Sequence, residues 1–305
     1  MVVGWVVGLS VIAAVCLAVQ VLTVEAGLAR VRGSAAVTAA VVSVVVSTAI
    51  FWVLLLGRGV PSGVTPGELV PFVVAGVLNP AVFRVLYFEG IDRVGARIAA
   101  TIQATYPAVA TVVAVATLGE TVTVWTAIGI AAIVGGGALL QFTRSTEASV
   151  SADLIARELA TVDTRDLAYP VVAAVVLGVS YVVVEYGLNG LPAPLVATAT
   201  AQTTALVVFL GGVVTVPGWR RELSTVSRSA YAFFVVAGVA VAAFWVAQFV
   251  ALNTGSVVTV VPVVSSAPLF VVGVSYAIAG ERPRSAQVVA AVIAIVAGVV
   301  LLQLG

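Results

Sequence analysis

The hexapeptide Phe72-Val73-Val74-Ala75-Gly76-Val77 returns unchanged as Phe234-Val235-Val236-Ala237-Gly238-Val239, and that return decides the fold. Two further strings repeat in the same order. Val24-Glu25-Ala26-Gly27-Leu28 comes back as Val184-Glu185-Tyr186-Gly187-Leu188, and Gly119-Glu120 downstream of Pro107 comes back as Gly280-Glu281 downstream of Pro268. Three ordered matches at offsets of 160 to 162 residues mark an internal duplication, even in a composition biased toward Val and Ala.

Around these strings the chain divides into apolar runs at about 3–23, 36–56, 69–88, 95–117, 123–142, 169–188, 194–214, 231–250, 256–279 and 286–304. Each is near the roughly 20 residues that a helix needs to cross a bilayer. Membrane β-strands alternate apolar and polar residues over about ten positions, whereas these runs are continuously apolar, so helices are expected. Composition agrees: 62% of residues are hydrophobic and 9% charged, against about 25% charged in soluble domains. The first run lacks a basic segment before it and a small-residue cleavage site after it, and reads as a retained helix. Five helices per half is an odd number, so the second half enters the membrane from the opposite side. The expected fold is an all-α integral membrane protein, with ten transmembrane helices as two inverted five-helix repeats. The repeats are placed at 1–142 and 169–305, joined by a charged linker over 143–168 in which Leu154, Ile155 and Leu159 are spaced for a short surface helix.

The same composition excludes several functions. No histidine and no lysine are present, and the single cysteine, Cys16, lies inside the first run. Zinc and serine–histidine chemistry both need histidine, so an enzyme is not expected, and neither is a metal or other cofactor. A phosphate-binding G-x-x-x-x-G-K-[ST] loop is missing, which excludes an ATP-driven pump within this chain. No basic stripe is available for nucleic acid. The expected partners are the lipid bilayer and a small, amphipathic or zwitterionic solute, with a homodimer left open.

The residues around the paired prolines resemble the EamA family of the drug/metabolite transporter superfamily. The resemblance covers nearly the whole chain. It is carried by Gly95-Ala96-Arg97 through Pro107 to Leu118-Gly119-Glu120, then Gly129 and Gly135-Gly136-Gly137. In the second half it is carried by Gly255-Ser256 through Pro262 and Pro268 to Gly280-Glu281, then Gly298. The resemblance implies ten helices in two inverted repeats, and export or exchange of small organic solutes such as amino acids and other metabolites without ATP. Val258 stands where the first half has Arg97, and no lysine is available for roles basic residues play in some relatives.

Charge sets the expected orientation. Arg30, Arg32, Arg93, Arg97, Arg144, Arg157, Arg165, Arg220, Arg221, Arg228, Arg282 and Arg284 all fall in or beside the odd-numbered loops, and only Arg58 on the other side. The positive-inside rule then places the odd-numbered loops in the cytoplasm of a cell whose plasma membrane the protein spans, with the termini outside. The family resemblance implies cytoplasmic termini instead; the charge count is preferred because it comes from this chain.

Polar groups inside hydrocarbon are costly unless they face a partner or a wet cavity, which makes them the site candidates. Arg84 follows the Asn79-Pro80 break, and Tyr87 lies on the same helical face. At the repeat offset of 161, Arg84 corresponds to Trp245 and Tyr87 to Gln248. A cavity lined by these four would suit a solute with an anionic group against Arg84 and an apolar part against Trp245. Gln103 and Tyr106 before Pro107, Ser265 before Pro268, and Tyr181 complete the binding set. Glu185 and its equivalent Glu25 are the candidates for proton coupling, because a carboxyl in low dielectric can exchange a proton near neutrality. Hydroxyls beside the prolines have an alternative use, bonding to their own helix backbone. Glu120 and Glu281 read as structural elements that cap the following helix. The expected function is a secondary transporter, an exporter or exchanger working by alternating access; a channel, a scramblase or a non-transporting sensor on the same fold is the alternative.

Overall fold

The computed structural model describes residues 2–31, 35–144, 162–279 and 286–304, and every regular element among them is a helix. In chain order the membrane helices are α1 (Val2–Leu28), α2 (Ala36–Arg58), α3 (Pro66–Val94), α4 (Ala96–Leu118), α5 (Val124–Arg144), α6 (Thr164–Gly190), α7 (Pro194–Thr215), α8 (Arg228–Thr254), α9 (Val257–Val264 continued by Ala267–Ala279) and α10 (Ala286–Leu302). Nine are long and apolar enough to cross a membrane; α10, with 17 residues, sits at the lower limit for a span. The expected surface helix around Leu154–Leu159, and the second motif carboxylate Glu281, lie outside the described residues. A short helix, Pro217–Thr225, joins α7 to α8, and its Glu222 accepts hydrogen bonds from the Thr38 amide and hydroxyl at the start of α2.

Two boundaries differ from those read off apolarity. α6 begins at Thr164, five residues before its apolar run, because Asp163 caps it by accepting from the Arg165 amide at 2.9 Å. α3 likewise starts at Pro66, where Thr65 and Glu68 form a reciprocal capping box.

Three helices break for one physical reason. A proline has no N–H to give and its ring excludes the carbonyl four residues back. α3 stops being regular at Gly76, four residues before Pro80, α4 at Gln103, four before Pro107, and α9 at Val264, four before Pro268. The hydroxyls next to the last two breaks answer them identically: Thr105 donates to the Ile102 carbonyl at 2.7 Å, and Ser266, its equivalent, donates to that of Val263 at 2.6 Å.

Helices in lipid associate through close packing, since hydrocarbon gives them no reason to hide apolar surface from one another. The duplicated strings supply that packing across the pseudo-two-fold axis. A Cβ at Gly27 of α1 would lie 2.5 Å from the Phe234 ring of α8, and one at Gly187 of α6 would lie 2.7 Å from the Phe72 ring of α3. Both phenylalanines are fully buried. In the same way Gly76 of α3 rests on α7 and Gly238 of α8 on α2, while α5 and α10 meet through Gly129 and Gly298 and through Gly136 and Ala291. Each repeat therefore packs its first and second helices against the third of the other, which is the arrangement of an inverted, interlocked pair.

Candidate functional site

A cavity of about 500 Å³ opens between the repeats. Its wall runs along the C-terminal half of α1 from Leu17 to Leu28, the start of α2 from Ala36 to Val44, and α3 from Asn79 to Phe88; Tyr106, Leu177, Tyr181, Gln202 and the Val241–Trp245 stretch of α8 close its inner end. The end of α1, the start of α2 and the end of α3 lie on one side of the membrane, the side of the odd-numbered loops, so the mouth faces that side. At the mouth Arg93 ties α3 to α6, pairing with Glu89 at 2.7 Å and Asp166 at 3.0 Å with its guanidinium over the Tyr169 ring.

The lining is aromatic with few polar groups. Phe83 stacks on Tyr87 at 5.6 Å, Tyr106 meets Tyr181 at 5.7 Å, and Trp245 packs edge-on between Phe244 and Phe249. Arg84 enters this setting with its side chain half-buried. Among the described residues Arg84 makes neither an ion pair nor a hydrogen bond.

Of the residues singled out in the sequence, Asn79, Arg84, Tyr87, Tyr106, Tyr181, Trp245 and Glu25 are brought together in the cavity wall. Gln103, Gln248, Ser265 and Glu185 are not. Gln248 is fully buried in α8, one turn beyond Trp245, and the Ser265 hydroxyl donates to the Pro262 carbonyl of its own helix at 2.6 Å. Gln20, Ser43, Gln202 and the phenylalanines Phe83, Phe88 and Phe244 also line the wall and were not anticipated. Gln20 and Gln202 carried a usable signal, an amide inside an otherwise apolar run; the phenylalanines carried none.

Glu185 lies beyond the closed end of the cavity, one turn past Tyr181. It is 7% exposed and accepts the Val257 amide at 2.6 Å, at the N-terminus of α9. Glu120 reaches the same place from the end of α4 and accepts the amides of Val257 at 3.0 Å and Val258 at 2.9 Å. This corrects the expectation that Glu120 caps the next helix. α5 is capped by Thr123, whose hydroxyl accepts from the Thr126 amide at 3.1 Å, and Glu120 crosses to the other repeat. First-turn amides have no partner within their helix, and a carboxylate there is held by charge-assisted hydrogen bonds and by the helix dipole.

Comparison with known proteins gives the frame for this site. A solved crystal structure superposes with a TM-score of 0.72 over 97% of this chain and 94% of the other, at 15% identity, a likeness of fold alone. Curated proteins yield no match. The model of the EamA-like transporter family matches residues 4–142 and again 167–303. With nearly all of its length matched in two successive copies, the chain is a multi-pass membrane protein that belongs to the EamA-like transporter family, within the drug/metabolite transporter superfamily.

Proposed function

We propose that this protein is a secondary transporter, an exporter or exchanger, of small amphipathic solutes that carry an anionic group, amino acids and related metabolites among them. The observation that carries the reading is Arg84: a guanidinium without a partner among the described residues, set with aromatic rings in the wall of a cavity of about 500 Å³. A buried cation is costly unless it is paired. An entering carboxylate supplies the pair, and Phe83, Tyr87, Phe244 and Trp245 supply the apolar surface for the rest of the solute. Asn79, at the break before Pro80, adds a polar side chain to the same cavity lining.

Transport then proceeds by alternating access, the two repeats exchanging roles about the cavity. The arginine-rich odd-numbered loops support an opening toward the cytoplasm, with the termini outside a plasma membrane. A proton is the coupling ion that the side chains favour. Glu185, held with Glu120 on the Val257 amide at the closed end, is the carboxylate assigned to that coupling. Uptake of labelled amino acids and metabolites into proteoliposomes, with and without preloaded solute, tests the proposal. Saturable flux that is stimulated by solute on the opposite side is expected; linear flux without such stimulation would indicate a channel.

A further inference from the structure

Two carboxylates that are equivalent by the duplication have different surroundings. Glu185 and Glu25 each stand two residues before a glycine that packs on a fully buried phenylalanine of the other repeat, Gly187 on Phe72 and Gly27 on Phe234. The helix crossings at these glycines are thus the same at both ends of the bundle. The carboxylates are not: Glu185 is buried on the first amide of α9 beside Glu120, while Glu25 is exposed and lines the cavity. The glycine–phenylalanine joints are present at the open and the closed end alike; at the closed end Glu185 of the same repeat and Glu120 of the other both hold the start of the broken helix α9.

We infer that Glu120 and Glu185, fastened to the Val257 and Val258 amides, are the gate that closes the cavity on the side away from its mouth. The inference rests on the transporter reading and deepens it by naming the residues that set the direction of opening. The clamp joins the end of α4 and the end of α6 to the start of α9, so the cavity cannot open there without parting it. Release frees α9 up to its break at Ser265-Ser266. Tyr181 lies one turn from Glu185 on α6 and lines the cavity, so a bound solute and the clamp act on one helix. Here Glu120 and Glu185 are positioning residues that do not touch the solute.

The experiment is a pair of spin-label distance measurements on full-length protein in a Cys16→Ser background. One pair, Asn189→Cys with Thr254→Cys, straddles the clamp; the equivalent pair, Ala29→Cys with Asp92→Cys, straddles the mouth, and all four sites are exposed. Removing the clamp with Glu120→Ala and Glu185→Ala together is expected to lengthen the first distance and shorten the second, changing the ratio of closed to open populations by about tenfold or more, as the loss of charge-assisted bonds implies. Glu25→Ala is expected to leave the first distance as in the parent. Unchanged distances in the double variant, or the same lengthening from Glu25→Ala, would overturn the assignment. If the alanine variant is not monodisperse, the Glu120→Gln and Glu185→Gln pair is measured instead, with a smaller change in the same direction expected and unchanged distances counting equally against the clamp. No solute enters these measurements, so a parent protein that moves none of the tested solutes would reject the transporter reading without deciding the clamp.

Discussion

α3 and α8 contain the same hexapeptide and pack on equivalent partners, yet they are different helices. α8 runs unbroken from Arg228 to Thr254, whereas α3 loses its regular hydrogen bonding after Gly76 and regains it only at Phe83. One proline accounts for the difference: Pro80 removes a donor and displaces the Gly76 carbonyl's usual bond, and α8 has no proline at that level. Beyond the break α3 presents Arg84 to the cavity, while the continuous α8 presents Trp245 from the opposite wall. The duplicated strings fix how the repeats lock together, and residues that depart from the duplication line the cavity between them.

The comparison can be broken most severely at its shared glycine. A Cβ on Gly76 would lie 2.2 Å from the backbone carbonyl of Ala201, and one on Gly238 2.6 Å from the side chain of Val46. Gly76→Ala should therefore cost about 3 kcal/mol of stability, more than Gly238→Ala, because a backbone yields less than a side chain. Thermal unfolding in detergent checks this order, and equal losses would mean that α7 is free to retreat from α3. The next largest effect belongs to the cavity wall. Arg84→Ala should raise KM for anionic solutes about tenfold or more, as expected for a charged hydrogen bond, and Trp245→Ala only a few-fold. Flux kinetics giving the reverse order would make the solute's apolar part the dominant contact.

Smaller effects sharpen the remaining contrasts. Glu185→Gln should flatten the pH dependence of flux while leaving saturation by solute intact; a pH profile equal to the parent's would remove Glu185 from proton coupling. Ser265→Ala should change flux by less than about twofold, since its hydroxyl is committed to the Pro262 carbonyl of its own helix. A larger loss would return Ser265 to the binding set.

Much of the architecture was legible because it is written locally and twice. The repeated strings gave the inverted pairing, the three prolines gave the broken helices, and Arg84 stood out as a lone charge in an apolar run. The cavity lining was readable where a residue was chemically out of place, as with Asn79, Arg84 and Tyr87. It was not readable where chemistry depends on distance in space: Glu120 and Glu185 meet Val257 across 137 and 72 residues of chain. Their shared target is a backbone amide, which no side-chain pattern announces. Gln103 and Gln248 look like ligands in sequence because amides are rare there, but neither lines the cavity, Gln248 being fully buried one turn beyond Trp245, and composition does not encode depth along a helix.

The most direct measurement is counterflow in proteoliposomes, comparing parent and Arg84→Ala with a carboxylate solute and its neutral amide analogue. The account predicts that the parent prefers the carboxylate by about tenfold or more and that Arg84→Ala abolishes the preference while still exchanging the amide. A variant that keeps the parent's preference for the carboxylate would contradict the assignment of Arg84 as the group that receives the solute's charge.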